Sequence, residues 1–327
     1  MKTQDLMTRF PNTGSGASIL YLVSSALPAF RPGFIGIFFP ALSVYMARLA
    51  KRAGVKVVLN QNGVAYPGWF GKGWRAQNRT SSTLLKLADY VVYQSEFCRM
   101  SADRFAGTCS GASSVLYNPV DTETFAPGKR VWQNGLRLQL LLTGSHWGKY
   151  RVRTAIETLS YLVKDGIDAT LSVAGAFCWG QSEEASRDYV STLSQSVGVS
   201  DRVILKGSYS QQEAVGLYRS ADILLHTKYN DPCPRVVVEA MACGLPVVYS
   251  ATGGVAEQVG DAGAGVAGPC DWENDHAPNP RELAFAVEKV LDDYPGFRER
   301  ARKRAVEKFD VAPWLDSHAA IFRRLCS

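Results

Sequence analysis

Short apolar or β-branched runs alternate with longer amphipathic stretches along most of the chain. This alternation is typical of βαβ units and a parallel sheet. In the first part it predicts strands at Ile19–Ser24, Val55–Asn60, Tyr90–Gln94 and Ser114–Tyr117. It predicts helices between them near Ala41–Ala53, Ser81–Leu87 and Glu96–Phe105. This part is small, because only about 18 residues precede its first strand.

A segment rich in Pro, Gly and charge, residues 118–133, has no periodicity and is typical of a linker. Beyond it the alternation is more regular and predicts a complete doubly wound domain. The predicted strands are Leu138–Thr143, Thr170–Ala174, Val203–Lys206, Ile223–His226 and Val247–Tyr249. The predicted helices lie near Val152–Lys164, Glu183–Ser196, Gln211–Ser220, Arg235–Ala242, Arg281–Leu291, Phe297–Lys308 and Pro313–Cys326.

The length of 327 residues fits two domains, at roughly 100–200 residues each. The expected limits are residues 1–127 and 128–310, followed by a C-terminal helix at 311–327 that packs back towards the first domain. Composition excludes disordered, collagen-like and disulfide-scaffold proteins, since 46% of the residues are hydrophobic and 20% are charged. Seven scattered cysteines without CxxC or zinc spacing predict free thiols in a reducing cytoplasm and no metal site.

Positive charge is confined to the first part. Residues 1–128 carry 13 Lys and Arg against 6 Asp and Glu, whereas residues 129–327 carry 23 against 24. The first part is therefore expected to face something anionic, such as a membrane surface or an acidic acceptor, with chance surface charge as the alternative. Its apolar stretch at 32–47 is shorter than the roughly 20 residues of a spanning helix but could lie on a surface. No secretory signal, P-loop, dinucleotide fingerprint or nucleic-acid motif is found, so no nucleic-acid partner is expected.

The richest strand-to-helix loop is His226 to Pro234, and ligands of open α/β sheets bind beyond the carboxyl ends of the strands. Pro234 suits a first helical turn, whose free N–H groups and dipole favour phosphate. Glu239 lies inside that helix among apolar neighbours and needs a partner, for which sugar hydroxyls would serve. The alternatives are a carboxylate satisfied by local backbone for Glu239 and a helix N-cap for Asp231.

Four motifs, which follow one another in the order of a known family, carry a resemblance to that family. Asp231, seven residues, Glu239, then AMACGLPVV and Gly253-Gly254 with Glu257, resemble the nucleotide-sugar site of retaining GT-B glycosyltransferases of the family 4 type. The family usually has Glu at the first acid. ADYVVYQSEF, YNPVDTETFAP and LLTGSHWGKYR match further family positions. The resemblance implies an α/β GT-B fold of two Rossmann-like domains facing a cleft, here with a shorter N-terminal domain.

The resemblance also implies the roles of individual residues. Glu239 would hold the ribose hydroxyls of a donor such as a UDP- or GDP-sugar, and Asp231 would contact the transferred sugar. The implied donor-binding set is Gly144, Ser145, His146, Lys228, Pro232, Cys233, Pro234, Arg235, Val236 and Glu239. No cofactor and no metal are expected.

The residues expected to bind the donor phosphates depart from the family pattern. Gly144 fits, but Ser145 stands where the family has an arginine. Lys149 or Arg151 is the candidate cation for the leaving diphosphate, against the alternative of a solvated helix start. Lys228 or His146 would otherwise lend the charge.

The acceptor side is expected at Asn62, Gly63, Ser95 and Glu96. Asn62 replaces a family histidine near the reacting sugar and cannot act as a base, and Asn-Gly is also a turn signal. Ser95 or Glu96 would line the cleft or form a helix N-cap. A loop with Trp69, Phe70 and Trp74 beside Lys72 and Arg75 would offer an acceptor platform or pack against the other domain.

The expected function is metal-independent transfer of a hexosyl-type sugar, with retention, to a glycan, glycolipid or lipid-linked acceptor. The expected location is cytoplasmic or peripheral at the inner face of the membrane. The alternative is a non-catalytic GT-B protein that binds a nucleotide sugar or a partner without transfer.

Overall fold

The computed structural model describes residues 19–23, 40–180 and 182–326. Ser24, residues 32–39 of the apolar stretch and the segment before Ile19 lie outside the described residues. Contacts divide the described chain into two compact units. The first holds the described residues up to Pro119, Asp271–Asp275 and the residues from Phe309 onward, and the second holds Val120–Cys270 and His276–Lys308.

The first unit contains a four-stranded parallel sheet in the order β1-β2-β3-β4. Its strands are β1 (Ile19–Val23), β2 (Lys56–Gln61), β3 (Tyr90–Tyr93) and β4 (Ala112–Val115). Its helices are α1 (Pro40–Arg52), α2 (Pro67–Phe70), α3 (Trp74–Leu87), α4 (Glu96–Phe105) and α12 (Val311–Cys326), and a 3₁₀ turn spans Gly71–Gly73. The apolar side chains of α12, Ile321, Phe322 and Leu325, pack against β2 and β3.

The second unit contains a six-stranded parallel sheet in the order β10-β9-β8-β5-β6-β7. Its strands are β5 (Leu138–Leu142), β6 (Ala169–Ala174), β7 (Val203–Gly207), β8 (Ile223–His226), β9 (Val247–Ser250) and β10 (Gly263–Val266). Its helices are α5 (Lys149–Lys164), α6 (Glu183–Ser196), α7 (Gln211–Arg219), α8 (Arg235–Ala242), α9 (Val255–Val259), α10 (Pro280–Asp292) and α11 (Tyr294–Phe309), and a 3₁₀ turn spans Ser200–Arg202.

The core of the second unit follows the two-residue period of its strands. Leu138, Leu140 and Leu142 of β5 lie in one hydrophobic cluster with Ile156 and Leu159 of α5. Alternate strand residues share one face of a sheet, so one face of β5 packs under α5. Each such leucine contributes roughly 2 kcal/mol by leaving water, which fixes β5 and α5 firmly behind the loop that joins them.

The order of strands in this sheet reverses direction between β5 and β8. Read outwards from β5, one half runs β5-β6-β7 and the other β8-β9-β10, which is the doubly wound order of nucleotide-binding folds. A crevice opens at such a switch point, beyond the carboxyl ends of the two strands. The loops after β5 and β8, which carry the predicted donor residues, therefore flank one crevice.

Apart from the two 3₁₀ turns, two short helices and one short strand were not predicted, and one helix begins seven residues early. α2, α9 and β10 each span only four or five residues, too few for a hydrophobic period to emerge. α3 begins at Trp74 rather than near Ser81, and Trp69 and Phe70 lie in α2, so the prediction that these aromatic residues and Arg75 lie in a loop is wrong. The first two turns of α3 are polar except for Trp74 and Ala76, and no side chain caps its start. Within the described residues, no helix combines the length and apolar character needed to cross a membrane.

Candidate functional site

The loop after β8 is tied to the start of α5, on the other side of the switch point. Thr227 Oγ1 donates to the carbonyl of Arg151 at 2.9 Å, and Tyr150 Oη accepts from the backbone N–H of Tyr229 at 3.0 Å. Because β5 and β8 are paired neighbours, these bonds hold both loops at the same end of the sheet.

Asp231 lies inside a buried polar cluster. Its Oδ2 is 3.0 Å from His226 Nε2, and its Oδ1 accepts from Lys228 Nζ at 3.0 Å. Burial alone would raise the pKa of Asp231, but the charge of Lys228 and the hydrogen bond from His226 outweigh it and hold the pKa well below its usual range. Burial lowers the pKa of His226, so the neutral ring donates Nε2–H to a fully ionised carboxylate.

The predicted alternative for Asp231, a helix N-cap, is wrong. The N-cap of α8 is Pro234, which offers no side-chain cap, and the helix begins at Arg235, as predicted. The carboxylate of Asp231 is instead committed to His226 and Lys228. Asp231 therefore presents negative charge at the end of β8 rather than at the helix start.

The backbone of Asn230 and Asp231 rests on the loop after β9. Gly254 N–H donates to the carbonyl of Asp231 at 2.9 Å, and Thr252 Oγ1 accepts from Asn230 N–H at 2.9 Å. A Cβ on Gly253 would lie 2.6 Å from the carbonyl oxygen of Asp231, and Gly253 has a φ of 68°. Only glycine fits there, so the double glycine of the sequence motif supports the acidic loop.

Glu239 is buried and takes its partners from side chains. Tyr218 Oη of α7 donates to Glu239 Oε2 at 2.9 Å, and an Arg235 guanidinium nitrogen lies 3.6 Å from Oε1. The alternative of a carboxylate satisfied by local backbone is thus not what the geometry shows. Burial raises the pKa of Glu239, and the charge of Arg235 and the Tyr218 hydrogen bond oppose that rise.

The predicted donor residues around the start of α8 lie beside the glycine of the β5 loop. A Cβ on Gly144 would be 3.6 Å from Val236 Cγ1, and Gly144 has a φ of 102°. Cys233 is buried, with its Sγ accepting from Gln258 Nε2 at 3.3 Å, while Pro232 is half-buried. The structure therefore brings the glycine loop to the first turn of α8, where backbone N–H groups favour an anion.

The predicted cations lie in different surroundings. Arg151 is buried, and its guanidinium donates to the carbonyls of Ser145 at 2.6 Å and Thr143 at 3.4 Å. The prediction of a solvated helix start is wrong for this residue. Lys149, the first residue of α5, is exposed, and its Nζ lies 5.1 Å from the ring centre of Tyr189 on α6.

His146 cannot lend a positive charge. Its ring is fully buried, and burial lowers its pKa to about 3, helped by the charge of Arg151. Its Nε2 bonds to the carbonyl of Ala174 at 3.0 Å, which anchors the β5 loop to the end of β6. Ser145, the next residue towards Gly144, is exposed. The prediction that His146 lends positive charge to the donor phosphates is therefore wrong, and the contact of His146 with Ala174 is structural.

The acceptor-side candidates lie at the carboxyl ends of β2 and β3 in the first unit. Asn62 Oδ1 accepts from Gly63 N–H at 2.7 Å, and Gly63 has no positive φ, so the Asn-Gly hairpin turn is absent at this described position. Ser95 caps α4 by accepting from Cys98 N–H at 2.9 Å, and the exposed Glu96 pairs with Arg99. Ser95 is thus the N-cap that the alternative predicted.

The aromatic residues of this unit divide into a buried and an exposed set. Trp272 stacks on Phe97 with ring centres 5.0 Å apart, and Trp74 meets Phe105 edge-on at 5.3 Å. Trp69 and Phe70 keep 52% and 44% of their surface exposed. Trp74 is therefore structural, and Trp69 and Phe70 remain available to a ligand.

Comparison with known proteins decides the family. The model described as Glycosyl transferases group 1 matches residues 139–308, more than half of the chain. The chain belongs to the glycosyl transferases group 1 family. The matched range contains the switch-point loops, Asp231 and Glu239.

Several relatives of this group 1 protein are glycosyltransferases by name. D-inositol 3-phosphate glycosyltransferase of Mycolicibacterium smegmatis is 33% identical over 143 residues, which cover 44% of this chain and 31% of that protein. The protein of the same name from Thermobifida fusca is 24% identical over 258 residues, or 75% of this chain and 57% of its own. The chain thus spans less than two thirds of the length of these curated relatives.

Solved structures share the fold of this group 1 protein. Anabaena HepE in complex with UDP superposes with a TM-score of 0.73 at 17% identity, covering 98% of this chain and 81% of HepE. WaaG, a glycosyltransferase involved in lipopolysaccharide biosynthesis, gives a TM-score of 0.61 at 18% identity, covering 97% and 95%. These likenesses confirm the predicted α/β GT-B fold class.

Sequence reasoning missed the hydroxyl partner of Glu239 in this group 1 protein. The periodicity places Tyr218 in a predicted helix but does not indicate which group its hydroxyl contacts. One signal was available: a buried tyrosine usually finds a polar partner for its hydroxyl. Which partner that would be depends on the packing of α7 against α8, which the sequence pattern does not contain.

Proposed function

We propose that this chain transfers a hexosyl-type sugar from a nucleotide sugar, such as a UDP- or GDP-sugar, to a glycan, glycolipid or lipid-linked acceptor, with retention of anomeric configuration. One observation carries the proposal. The family match covers both loops at the switch point of the doubly wound sheet. The same region contains the buried carboxylates of Asp231 and Glu239 and the start of α8 beside Gly144. In this proposal residues 128–310 bind the donor and residues 1–127 serve the acceptor.

Each side chain has a role suited to its surroundings. Glu239 accepts hydrogen bonds from ribose hydroxyls, and ionised Asp231 accepts from hydroxyls of the transferred sugar. The backbone from Cys233 to Val236 and the Gly144 loop receive the diphosphate at a helix start. Lys228, with a quarter of its side chain exposed beside Asp231, supplies positive charge near the leaving group.

The proposed chemistry needs no protein base at Asn62. The bond between the anomeric carbon and the phosphate oxygen breaks as the acceptor oxygen bonds to the same face of that carbon. The acceptor hydroxyl proton passes to the leaving phosphate. Metal independence is part of the proposal, since the charge of Lys228 and the backbone N–H groups at the start of α8 are assigned the stabilisation of the diphosphate.

The donor assignment is tested with Glu239→Ala and a panel of UDP, GDP and ADP sugars. Calorimetry should show binding to the unchanged protein and none to Glu239→Ala, while circular dichroism shows both folded. Incubation should release nucleoside diphosphate, at least by slow hydrolysis. Unaltered binding by Glu239→Ala would refute the donor site. Binding without any release would favour the alternative of a non-catalytic GT-B protein that binds a nucleotide sugar without transfer.

A peripheral contact with an anionic membrane is the proposed partner of the first unit. Residues 6–88 contain ten Lys and Arg and no Asp or Glu. Exposed Trp69 and Phe70 lie beside exposed Lys72 and Arg75 in this segment. Aromatic rings with adjacent cations suit the interface of an anionic bilayer. A cytoplasmic location at the inner face of the membrane is part of the same proposal.

Vesicle sedimentation tests this contact. Trp69→Ser/Phe70→Ser should lose binding to phosphatidylglycerol vesicles, whereas Phe285→Ser, which removes an equally exposed ring from α10, should retain it. The unchanged protein should bind neutral phosphatidylcholine weakly, and binding should fall with salt. Equal binding by all three proteins would contradict the contact.

A further inference from the structure

The hydroxyl of Tyr218 is the side-chain donor closest to the Glu239 carboxylate. Tyr218 Oη donates to Glu239 Oε2 at 2.9 Å. Tyr209, whose hydroxyl accepts from Thr143 Oγ1 at 2.6 Å, interacts electrostatically with both groups. The carboxylate on α8 is therefore held by a side chain of α7.

The direction of this bond follows from Glu239. An ionised carboxylate only accepts, so Tyr218 donates its single hydroxyl proton to Oε2. The hydroxyl proton of Tyr218 is therefore committed to Glu239 whenever the carboxylate is ionised.

The groups around Glu239 make the hydrogen bond from Tyr218 important to its carboxylate. Among the described residues, the titratable or charged groups that interact with Glu239 are Arg235 and Cys243 of its own helix region, Tyr218 of α7 and Tyr209 of the loop after β7. Only Arg235 brings positive charge, and its nitrogen is 3.6 Å from Oε1, beyond a good hydrogen bond. Tyr218 is therefore the firm donor that Oε2 has.

We propose that Tyr218 is a positioning residue, which holds Oε2 of Glu239 so that Oε1 is left to accept a hydroxyl of a bound nucleotide sugar. The identity of the ligand rests on the proposed function. The hydrogen bond from Tyr218 to the Glu239 carboxylate does not depend on the proposed function, and its effect can be measured without ligand.

Tyr218→Phe removes the donor and keeps the ring. Tyr294→Phe is the matched control, because Tyr294 is also almost fully buried in the same unit and its hydroxyl donates to the carbonyl of Asp222 at 3.2 Å. The groups that bond to its hydroxyl, the carbonyl of Asp222 and the Arg298 guanidinium, differ from the partner of Tyr218. ¹³C-carboxyl NMR of the ligand-free protein, with Glu239→Gln to assign the signal, follows the ionisation of Glu239. Calorimetry with UDP, GDP and ADP from about pH 5 to pH 8 follows binding.

The Glu239 signal should titrate at higher pH in Tyr218→Phe than in the unchanged protein and should not move in Tyr294→Phe. Loss of a hydrogen bond to a charged group predicts at least about tenfold weaker nucleotide binding at pH 7, with the loss greatest at low pH.

The proposal is overturned if Tyr218→Phe leaves the Glu239 titration unchanged, or if Tyr294→Phe alters titration and affinity to the same extent. If the unchanged protein binds none of the three nucleotides, the proposed function fails. The carboxyl titration then still decides whether Tyr218 holds Glu239.

Discussion

Gly253→Ala tests whether the loop after β9 holds Asp231 in place. A Cβ at this position would lie 2.6 Å from the carbonyl carbon of Asn230 and 2.6 Å from the carbonyl oxygen of Asp231. Both are backbone atoms, so the overlap cannot be relieved by a side-chain rotation. The Asn230–Asp231 backbone must move by several tenths of an ångström, and the bond from Gly254 N–H to Asp231 moves with it.

The size of the effect can be separated into two parts. The left-handed φ of 68° costs an alanine about 1–2 kcal/mol. The overlap adds about 1–3 kcal/mol, the usual range for overpacking. Gly166→Ala is the matched control, since Gly166 follows α5 with a φ of 87° and an added Cβ there would meet nothing within 4 Å. Gly166→Ala therefore has the cost of the left-handed φ without the cost of the overlap.

Scanning calorimetry should show Gly253→Ala melting roughly 2–12 °C below Gly166→Ala, at about 2–4 °C per kcal/mol for a domain of this size. Nucleotide-sugar binding should be lost or strongly weakened in Gly253→Ala and unchanged in Gly166→Ala, because only the former displaces Asp231. Equal melting temperatures and equal binding in the two variants would refute the argument that the double glycine supports the acidic loop.

Three further outcomes are expected. Because burial raises the pKa of Glu239 in the folded state, the stabilising contribution of Glu239 is present at low pH and is lost as pH rises through that pKa. Urea unfolding should therefore show Glu239→Gln gaining stability relative to the unchanged protein between about pH 4 and pH 8. A stability difference that stays constant over this range would contradict the raised pKa. Arg130→Ala should cost about 3–5 kcal/mol in the same assay, because the fully buried Asp222 carboxylate, which Arg130 holds at 2.8 Å, loses its positive partner and keeps the backbone N–H of Gln139. A loss below about 1 kcal/mol would show that water replaces Arg130. Treatment with EDTA should leave sugar transfer unchanged, and loss restored by Mg²⁺ would disprove metal independence.

The fold could be predicted largely from periodicity, because the strands of the second unit are buried runs separated by clear amphipathic helices. Strand β8 and helices α4, α6 and α8 begin and end where the pattern predicted. α3 could not be delimited, because its first turns are polar. Boundaries of this kind depend on packing of a few residues, such as buried Asn78, whose amide bonds to the backbone of Ala65.

The candidate site shows a different limit. The need of Glu239 for a partner followed from its apolar neighbours, and the structure supplies Tyr218, which precedes it by 21 residues and lies on another helix. The partners of Asp231, by contrast, lie three and five residues before it. Local spacing could have revealed those contacts, but the same spacing also fitted an N-cap. Long-range contacts and competing local ones both require coordinates to decide.

The missing arginine after Gly144 changes how positive charge reaches the switch point. The guanidinium of Arg151 lies beneath the loop, where it donates to the carbonyls of Ser145 and Thr143. A buried guanidinium directed at carbonyl oxygens orders the loop and helps to keep Asp231 ionised, but it offers no fork to a phosphate. If transfer occurs, the leaving diphosphate must therefore be stabilised by backbone N–H groups at the start of α8 and by Lys228, while Arg151 acts through the loop that it holds.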